Sequence, residues 1–521
     1  MSGPLLLFHY GTFHWFHRDE WAFLTESAAG GGEWLRYTHD AFSGAHWVAV
    51  PRVIYQGLWH LVGMTTYLPY QLVVVVLHVL LATGLHLIIR RAGVRPWLAM
   101  AAAGIFVLGG PGASTTLWAF QMTIVGSMTF GVAHLMLADH DGGADRRDAL
   151  GLACGILAIT FSGVGVTTTV AVVVATVLRR GWRMAALHGG PLAIVYATWS
   201  VLAGAETTSD SGRPSALGVL RWTGEMWLGA LEAIGRWRIT SIAIMAVVLT
   251  GAMLIWRGRS ARQNREQLAR RLSVPLGLAV AAAFFGASTA LGRAAGGLAL
   301  ARSDRYVYLV AAMLLPLIAV GAEAVADRWA RSTSLLVLLL VVQIPFNLAT
   351  FDSRTPEGRI FGEAHHSDRR FVLTTAVRMP FADDVPRDVE PAPDPAAYGV
   401  TIGFLLDSVA SGRLHPSTDP LTPRVVNELR VRLGLSREPY RSVGGPCRRV
   451  AEGLDVDLAR GEQLHFGSDV VIQTEEGGRP TSRRVGFARD GAGFTLTAEL
   501  PDLSLRLQPP LGASTFTLCG R

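Results

Sequence analysis

The chain has 521 residues, of which 50% are hydrophobic and only 17% are charged. Its mean hydropathy is +0.33, which is too apolar for a soluble enzyme of this length, and apolar runs of about 20 residues recur, so we predict a multi-pass membrane protein with a soluble appendage. All 47 basic residues are arginine and the formal net charge is +7; arginine-rich loops on the inner side of a membrane explain that charge without nucleic acid.

The chain opens with an apolar run, residues 4–16, which is short for a membrane span. Arg18, Asp19 and Glu20 follow it directly. Placing one charged side chain within a helix bundle in the membrane costs about 2.5–3.5 kcal/mol on insertion scales. An acidic pair beside a membrane span is therefore a candidate functional site. The alternative is an ordinary charged loop flanking a helix. Residues 17–67 are polar with interspersed aromatics, which is typical of a surface helix lying on the membrane.

A series of apolar runs then predicts the remaining spans. They cover residues 68–89, 97–110, 117–138, 149–179 (two short runs), 185–203, 238–256, 273–291, 305–325 and 333–350. With a short first helix this gives about eleven transmembrane helices by the twenty-residue rule. Arginines cluster after 89, after 178 and between 257 and 271. The positive-inside rule therefore places the N-terminus inside and the C-terminus outside.

Residues 351–521 contain no predicted span, so the chain divides into a transmembrane domain, 1–350, and an extracytoplasmic domain, 351–521. A proline-rich linker and a short helix precede alternating segments punctuated by Gly, Pro and Asp. This pattern predicts a small β-sandwich or jelly-roll. Cys447 and Cys519 lie in this exported part, where the compartment permits disulfides, and we predict that they pair.

The predicted orientation groups a set of polar residues on the outer side of the membrane. They are Asp19, Glu20, Asp40, His46, Arg52, Gln121, Arg293, Arg302, Asp304, Arg305 and Tyr306. Arginines stabilise the charge that develops on a departing phosphate, and a carboxylate accepts the proton of an incoming hydroxyl. This combination suits glycosyl transfer from a lipid-linked sugar. No phosphate-binding Gly-rich motif that would indicate a nucleotide site is present.

The order of these features resembles the GT-C superfamily of integral membrane glycosyltransferases. The resemblance rests on the RDEW sequence after the first helix, on His46, Trp47 and Pro51 in a surface segment, on SDRYVYL near a late helix, and on the exported C-terminal domain. It covers roughly residues 1–350. It implies a polyprenyl-phosphate sugar as donor and a cell-envelope glycan or protein as acceptor, on the outer face of the cytoplasmic membrane.

The resemblance also implies a role for individual residues. Asp19 becomes the general base, and Glu20 a second candidate or a contact to a metal or to the acceptor. Arg305, with Arg293 and Arg302, would bind the donor phosphate. The remaining cavity and substrate contacts would come from His46, Trp47, Arg52, Gln121 and Tyr306. No cofactor is implied beyond the donor itself, and a divalent metal ion is left open.

Two other classes of function fit the same composition. A polymerase or ligase of lipid-linked glycans also has many spans and outer arginines, but it places its key residues in a large late outer loop. A transporter or an envelope scaffold is the non-enzymatic alternative. Transporters show internal repeats of spans, and the sequence shows none. Interfacial anchoring is the alternative role for Arg305, Tyr306 and Trp47.

Overall fold

The computed structural model is mainly helical, with a smaller sheet region near the C-terminus. It describes residues 14–29, 33–42, 46–109, 112–204, 214–235, 237–257, 262–334, 338, 347, 363–391, 399–439, 447–451, 453–468, 470–476, 479–480, 485–487, 494–500, 503–509 and 514–519. The predicted first helix, 4–16, lies outside these residues except for 14–16. Of the predicted last span, 333–350, they include only 333, 334, 338 and 347.

The helices follow one another closely along the chain. They are α1 (Glu20–Ala28), α2 (Glu33–His39), α3 (Ala49–Val62), α4 (Leu68–Arg91), α5 (Pro96–Val107), α6 (Gly112–Leu117), α7 (Met122–Ala138), α8 (Arg146–Phe161), α9 (Val164–Arg180), α10 (Trp182–Leu202), α11 (Ala216–Gly235), α12 (Arg238–Arg257), α13 (Arg262–Arg293), α14 (Asp304–Arg328), α15 (Glu363–Ala376), α16 (Ile402–Ala410) and α17 (Pro423–Gly434). Short 3₁₀ turns cover Ala119–Gln121, Ala294–Gly296, Leu298–Arg302 and Ala382–Asp384.

The chain divides into two compact units. The first contains Ala29–Leu58 and Tyr67–Glu363, and with them α2 and α4–α14. The second contains Trp15–Ala28, Trp59–Thr66 and Ala364–Arg521, and with them α1, α16, α17 and the described strands. Two short N-terminal segments thus belong with the C-terminal part of the chain, which a division at residue 350 does not anticipate.

Within the part of the chain that the structure describes, six helical segments are long and apolar enough to cross a membrane. They are Leu68–Arg91, Ala119–Ala138, Trp182–Leu202, Arg238–Arg257, Leu268–Gly296 and Asp304–Arg328. Each coincides with a span predicted from the sequence, so a mainly helical fold with six candidate membrane-spanning helices is confirmed. The short apolar helix Pro96–Val107 and the pair α8 and α9, of 16 and 17 residues, fall below that length. The total of eleven spans stays a prediction.

Local sequence explains where the apolar helix α4 begins and ends. Proline follows its first residue, a position where no backbone donor is needed. Its last turn carries Arg90 and Arg91, whose charge favours a helix C-terminus. Gly93 follows with φ +80°, a backbone conformation that glycine adopts without strain. α14 is the most enclosed of the six segments, with 83% of its most apolar stretch buried, and it therefore forms the centre of the first unit.

The strands of the second unit form two antiparallel sheets. They are β1 (Leu435–Pro439), β2 (Arg448–Val450), β3 (Leu454–Leu458), β4 (Gln463–Phe466), β5 (Val470–Glu476), β6 (Arg479–Pro480), β7 (Val485–Phe487), β8 (Phe494–Ala498), β9 (Leu503–Gln508) and β10 (Phe516–Leu518). One sheet has the order β1-β8-β4-β10-β2 and the other β3-β9-β5-β6, with β7 also paired to β5.

One hydrophobic core serves both sheets. It contains Leu464, Phe466 and Leu496 of the first sheet together with Ile472 and Leu505 of the second. Buried and exposed residues alternate along β9, as expected for a strand with one face on a core. A β-rich C-terminal region is therefore confirmed, while the jelly-roll topology stays a prediction.

A disulfide joins Cys447 and Cys519, as the sequence predicts. Cys447 directly precedes β2, Cys519 directly follows β10, and these two strands pair antiparallel. The bond therefore crosslinks neighbouring strand ends, and it closes a loop with a sequence separation of 72 residues.

We expect reduction of this bond, or Cys447→Ser, to lower the free energy of unfolding of the second unit by about 2–4 kcal/mol, because a long loop is released in the unfolded chain. Denaturant unfolding of the whole protein with and without reductant measures the change. Cys154→Ser is the control, since Cys154 is a free thiol in α8. Unfolding midpoints that do not respond to reductant would exclude a stabilising role.

Candidate functional site

The predicted acidic pair lies at the start of α1 in the second unit. Glu20 is fully buried, and its carboxylate accepts a hydrogen bond from the His17 backbone N–H at 3.0 Å. An acidic side chain that satisfies backbone donors at a helix start is a capping interaction. Asp19 is half-buried, and Arg18 before it has φ +53°, an unusual conformation for a residue other than glycine. The structure thus gives Glu20 a local structural role and leaves Asp19 as the more accessible carboxylate.

Within the first unit the structure brings together several of the predicted outer residues. Nη2 of Arg293, the last residue of α13, lies 3.4 Å from Nε2 of His46. His46 is held in place because its backbone exchanges two hydrogen bonds with Phe42, at 2.8 and 3.0 Å. Burial, and then the positive charges of Arg293 and Arg305, lower the pKa of His46 from 6.5 to about 4. His46 is therefore neutral at pH 7, and the two arginines carry the charge of this cluster.

Arg305 and Tyr306 form the adjoining part of the cluster at the start of α14. The Arg305 guanidinium lies 5.3 Å from the centre of the Tyr306 ring, a cation–π distance. Tyr306 is only 6% exposed and packs edge-to-face against Phe285. Its hydroxyl has no hydrogen-bond partner among the residues that the structure describes. A buried hydroxyl without a hydrogen-bond partner lowers the stability of the folded protein. A ligand that accepts a hydrogen bond from Tyr306 would remove this cost.

We use the name His46 cluster for His46, Arg293, Arg305 and Tyr306. Trp47 lies beside it in sequence and stacks on Trp199 of α10, with ring centres 5.1 Å apart and planes at 3°.

Arg52 and Gln121, also predicted as substrate contacts, are both buried. Arg52 donates hydrogen bonds to the backbone carbonyls of Tyr37 and Asp40 and lies over the Phe42 ring. These contacts fix the segment before α3. Gln121 lies at the start of α7. The structure thus shows a structural role for Arg52 and does not test its substrate role.

Arg302 differs from the two arginines of the His46 cluster. Its guanidinium forms ion pairs with Glu225 and Glu232 of α11, both at 2.7 Å. Two carboxylates occupy the donor groups that a phosphate would need. Of the three predicted phosphate-binding arginines, Arg302 is therefore the weakest candidate, and it is a natural control for the other two.

We expect Arg293→Gln to raise the pKa of His46 from about 4 towards 6.5, because it removes one of the charges that oppose protonation. The folded protein binds this proton less tightly than the unfolded chain, so stability falls as the pH drops from 6.5 towards 4, and it should fall less in the variant. NMR titration of isotope-labelled histidine, assigned with His46→Gln, measures the pKa. Arg302→Gln is the control, and an equal shift in both variants would contradict the assignment.

A second polar group, which the sequence analysis did not identify, is buried in the first unit. Asp148 of α8 pairs with Arg180 of α9 through two hydrogen bonds, at 2.5 and 3.0 Å, and their side chains are only 3% and 2% exposed. His188 lies 3.0 Å from the same carboxylate and 2.9 Å from His134. His140 lies 3.2 Å from it. Side chains from α9, α10 and a loop thus converge on the Asp148 carboxylate of α8, and His134 of α7 is linked to it through His188.

Part of this network also has the residue types of a metal site. His140, Asp145 and Asp148 have ligand atoms within 4.8 Å of one another, in the part of the chain that is described. Both oxygens of Asp148 are already engaged, however, because Arg180 binds both and the Asp145 backbone N–H donates to one at 2.8 Å. A cation would have to displace a buried guanidinium. These residues therefore fit an internal salt bridge and helix cap better than a metal centre.

Comparison with protein-family models, with curated proteins and with solved structures gave no match. The functional assignment therefore depends on the geometry and chemistry of the residues themselves.

Proposed function

We propose that the protein is a membrane glycosyltransferase that moves a sugar from a polyprenyl-phosphate donor to a cell-envelope acceptor. The observation that carries the proposal is the His46 cluster. It combines two arginines that have no described carboxylate partner, a neutral histidine and a buried tyrosine hydroxyl that lacks a partner among the described residues. Such a group suits a monoanionic phosphate next to an apolar, aromatic surface.

The cluster is assigned to the donor phosphate. Arg293 and Arg305 bind the phosphate oxygens through charge-assisted hydrogen bonds, and the Tyr306 hydroxyl donates a further one. The stacked pair of Trp47 and Trp199 offers a flat apolar face for the sugar or the isoprenoid chain. Arg302 is left out of the phosphate site because of its two glutamate partners.

In the proposed reaction one proton is transferred, one bond to the anomeric carbon forms, and another bond to that carbon breaks. The Asp19 carboxylate takes the proton of the acceptor hydroxyl, the acceptor oxygen bonds to the anomeric carbon, and the bond from that carbon to the phosphate oxygen breaks. Polyprenyl phosphate leaves with an additional negative charge, which the two arginines stabilise. Asp19 is assigned as the base on the sequence resemblance alone. Glu20 is assigned a positioning role: its carboxylate caps α1, the helix that directly follows Asp19.

The proposal includes the finer topology predicted from the sequence. It has about eleven membrane crossings with a GT-C arrangement, an inner N-terminus, and a disulfide-containing β-rich region outside the cytoplasmic membrane. The His46 cluster then lies at the outer end of α13. The Cys447–Cys519 disulfide supports this orientation, because such bonds persist in oxidising compartments.

We expect Arg305→Gln and Arg293→Gln each to weaken binding of polyprenyl phosphate about tenfold or more, since each loses a charge-assisted hydrogen bond. Native mass spectrometry of the purified protein, titrated with polyprenyl phosphate, measures the bound fraction. Donor binding should also raise the pKa of His46, because an anion then neutralises the neighbouring arginines.

Arg302→Gln is the matched control and should bind the donor like the wild type. A loss of binding that is equal in all three variants would exclude a specific phosphate site in the His46 cluster. Retention of a pyrophosphate-linked oligosaccharide in place of a polyprenyl phosphate would favour a lipid-linked glycan polymerase or ligase. Retention of bulk phospholipid alone would contradict the transferase and favour a transporter or scaffold.

A further inference from the structure

A cavity of about 460 Å³ lies in the first unit, among helix ends far from the His46 cluster. Its volume is in the range of sites that bind small molecules. The polar groups that line it are Asp139, His140, Asp141 and five arginines: Arg91, Arg147, Arg179, Arg270 and Arg271. The arginines come from four different helices, α4, α8, α9 and α13.

The helix α13 fixes the position of this cavity relative to the His46 cluster. Arg271 is the tenth residue of this helix and lies near the start of its apolar segment, Leu268–Gly296, and Arg293 is the last residue of the helix. At 1.5 Å per residue the two are about 33 Å apart along the helix, close to the thickness of the apolar core of a bilayer, about 30 Å. The cavity and the cluster are therefore at opposite ends of the apolar segment of the same helix.

Two of the arginines are held in place by uncharged groups. Arg91 Nη1 donates to the Met136 backbone carbonyl at 2.9 Å, and Arg271 Nε donates to that of Ala92 at 3.0 Å. The Arg271 guanidinium also packs over Gly93, where a Cβ would come within 2.8 Å of it. A carbonyl fixes a guanidinium without neutralising it, and each guanidinium has five N–H donors. Arg91 and Arg271 are thus oriented while their charge remains available.

Acidic groups in the lining neutralise only part of the charge. Arg179 pairs with Asp139 at 2.5 Å and with Asp141 at 3.3 Å, and Arg270 lies 3.4 Å from Asp141. Arg147 lies 3.6 Å from Asp145, which is not part of the lining. Three carboxylates therefore pair with three of the five guanidiniums, and among the described residues Arg91 and Arg271 have no carboxylate partner. Asp141 is 56% exposed, and the hydrogen bond from Arg179 lowers its pKa, so it stays ionised and competes with any anion for the same donors.

We propose that this cavity binds a phosphate-bearing anion, supplied either by a soluble phosphate compound or by the headgroup of an anionic lipid. The arginine fork matches phosphate oxygens in geometry and charge. The placement of arginines on the inner side of a membrane explains charged helix ends. It does not explain why five of them line one cavity. This site does not depend on the glycosyltransferase proposal, which concerns the other end of α13.

The test uses the full-length protein in detergent and inorganic pyrophosphate as the soluble probe, with binding measured calorimetrically at constant ionic strength. We expect saturable binding to the wild type, weakened about tenfold or more in Arg91→Gln and in Arg271→Gln. Arg90→Gln is the matched control. Arg90 is the neighbour of Arg91 on α4 and carries the same charge, but it donates to the Val94 carbonyl and does not line the cavity.

A substitution that should increase the affinity, instead of lowering it, gives a sharper test. We expect Asp141→Asn to bind pyrophosphate more tightly than the wild type, because it removes a competing carboxylate and frees donors of Arg179 and Arg270. A residue with only a structural role would not increase affinity when it is replaced. Unchanged or weaker binding in Asp141→Asn would contradict the proposed position of the anion.

Lipid nanodiscs distinguish the two sources of phosphate. The protein is placed in phosphatidylcholine discs with and without phosphatidic acid. If the ligand is a lipid, phosphatidic acid should remain bound in native mass spectra, should be lost in Arg271→Gln, and should block pyrophosphate. If it is soluble, pyrophosphate should bind equally in both discs. The proposal is overturned if neither probe binds saturably, or if Arg90→Gln loses binding as much as Arg91→Gln.

Discussion

Asp19→Asn is expected to reduce sugar transfer by about 10²–10⁴-fold while expression and melting temperature stay as in the wild type. An amide cannot accept the proton of the acceptor hydroxyl, and general-base catalysis typically contributes a factor of that size. In the proposed reaction the carboxylate acts only when the acceptor oxygen attacks, so donor binding should not change. The measurement is transfer of labelled sugar from a polyprenyl-phosphate donor to acceptor in reconstituted vesicles.

Asp40→Asn is the matched control for this experiment. Asp40 is an exposed carboxylate that follows α2, and the sequence predicts it on the same side of the membrane. Its replacement changes the charge by the same amount and should leave transfer intact. Glu20→Gln is expected to act mainly on stability, because Glu20 caps α1. Undiminished transfer by Asp19→Asn would remove Asp19 from the mechanism.

Asp148→Asn is expected to destabilise the helical unit by about 3–5 kcal/mol. The substitution leaves the Arg180 guanidinium buried without its counter-charge, and removal of one partner of a buried ion pair has a cost of this order. The free energy of unfolding is measured by titration of the detergent-solubilised protein with a denaturing detergent, monitored by loss of helical signal. The same variant should retain the Cys447–Cys519 disulfide and the unfolding transition of the second unit.

Two further variants test the cause of this loss. Asp141→Asn removes an exposed carboxylate that pairs with Arg179 and Arg270. Arg179 keeps its ion pair with Asp139, so the substitution should cost no more than about 1 kcal/mol. The double variant Asp148→Leu, Arg180→Met removes both buried charges at once, and should be more stable than Asp148→Asn because no unpaired charge remains. If the double variant is the least stable of the set, packing at this position matters more than the charge pair.

The sequence predicts most of the helical fold because long apolar runs are a strong local signal. All six segments that qualify as membrane-crossing by length and composition lie where apolar runs occur, as in Leu68–Arg91 and Asp304–Arg328. Several C-terminal strands are also visible as alternating segments, such as β9. β1 is not, because Leu435–Pro439 directly follows a short helix and shows no clear alternation, and it forms a strand by pairing with β8, far along the chain.

The site was predictable in part. His46, Arg293 and Arg305 could be grouped from their predicted positions at one membrane face, and the structure places them together. The specific partners could not be read from the sequence. The pairing of Arg302 with Glu225 and Glu232 depends on how α11 packs near the start of α14. From the sequence, the arginines at the ends of α4 and α9 indicate only membrane orientation, since nothing local shows that Arg91 and Arg179 line one cavity.

The state of the cysteines has a practical consequence. Two of the three are joined to each other, and the third, Cys154, is half-buried within α8. The unmodified chain therefore offers thiol reagents a single, partly shielded target. A cysteine introduced at an exposed helix end, for example by Arg90→Cys, becomes the most accessible thiol without removal of any native cysteine. Labelling of intact cells with a membrane-impermeant maleimide would then report directly on which side of the membrane that helix end lies.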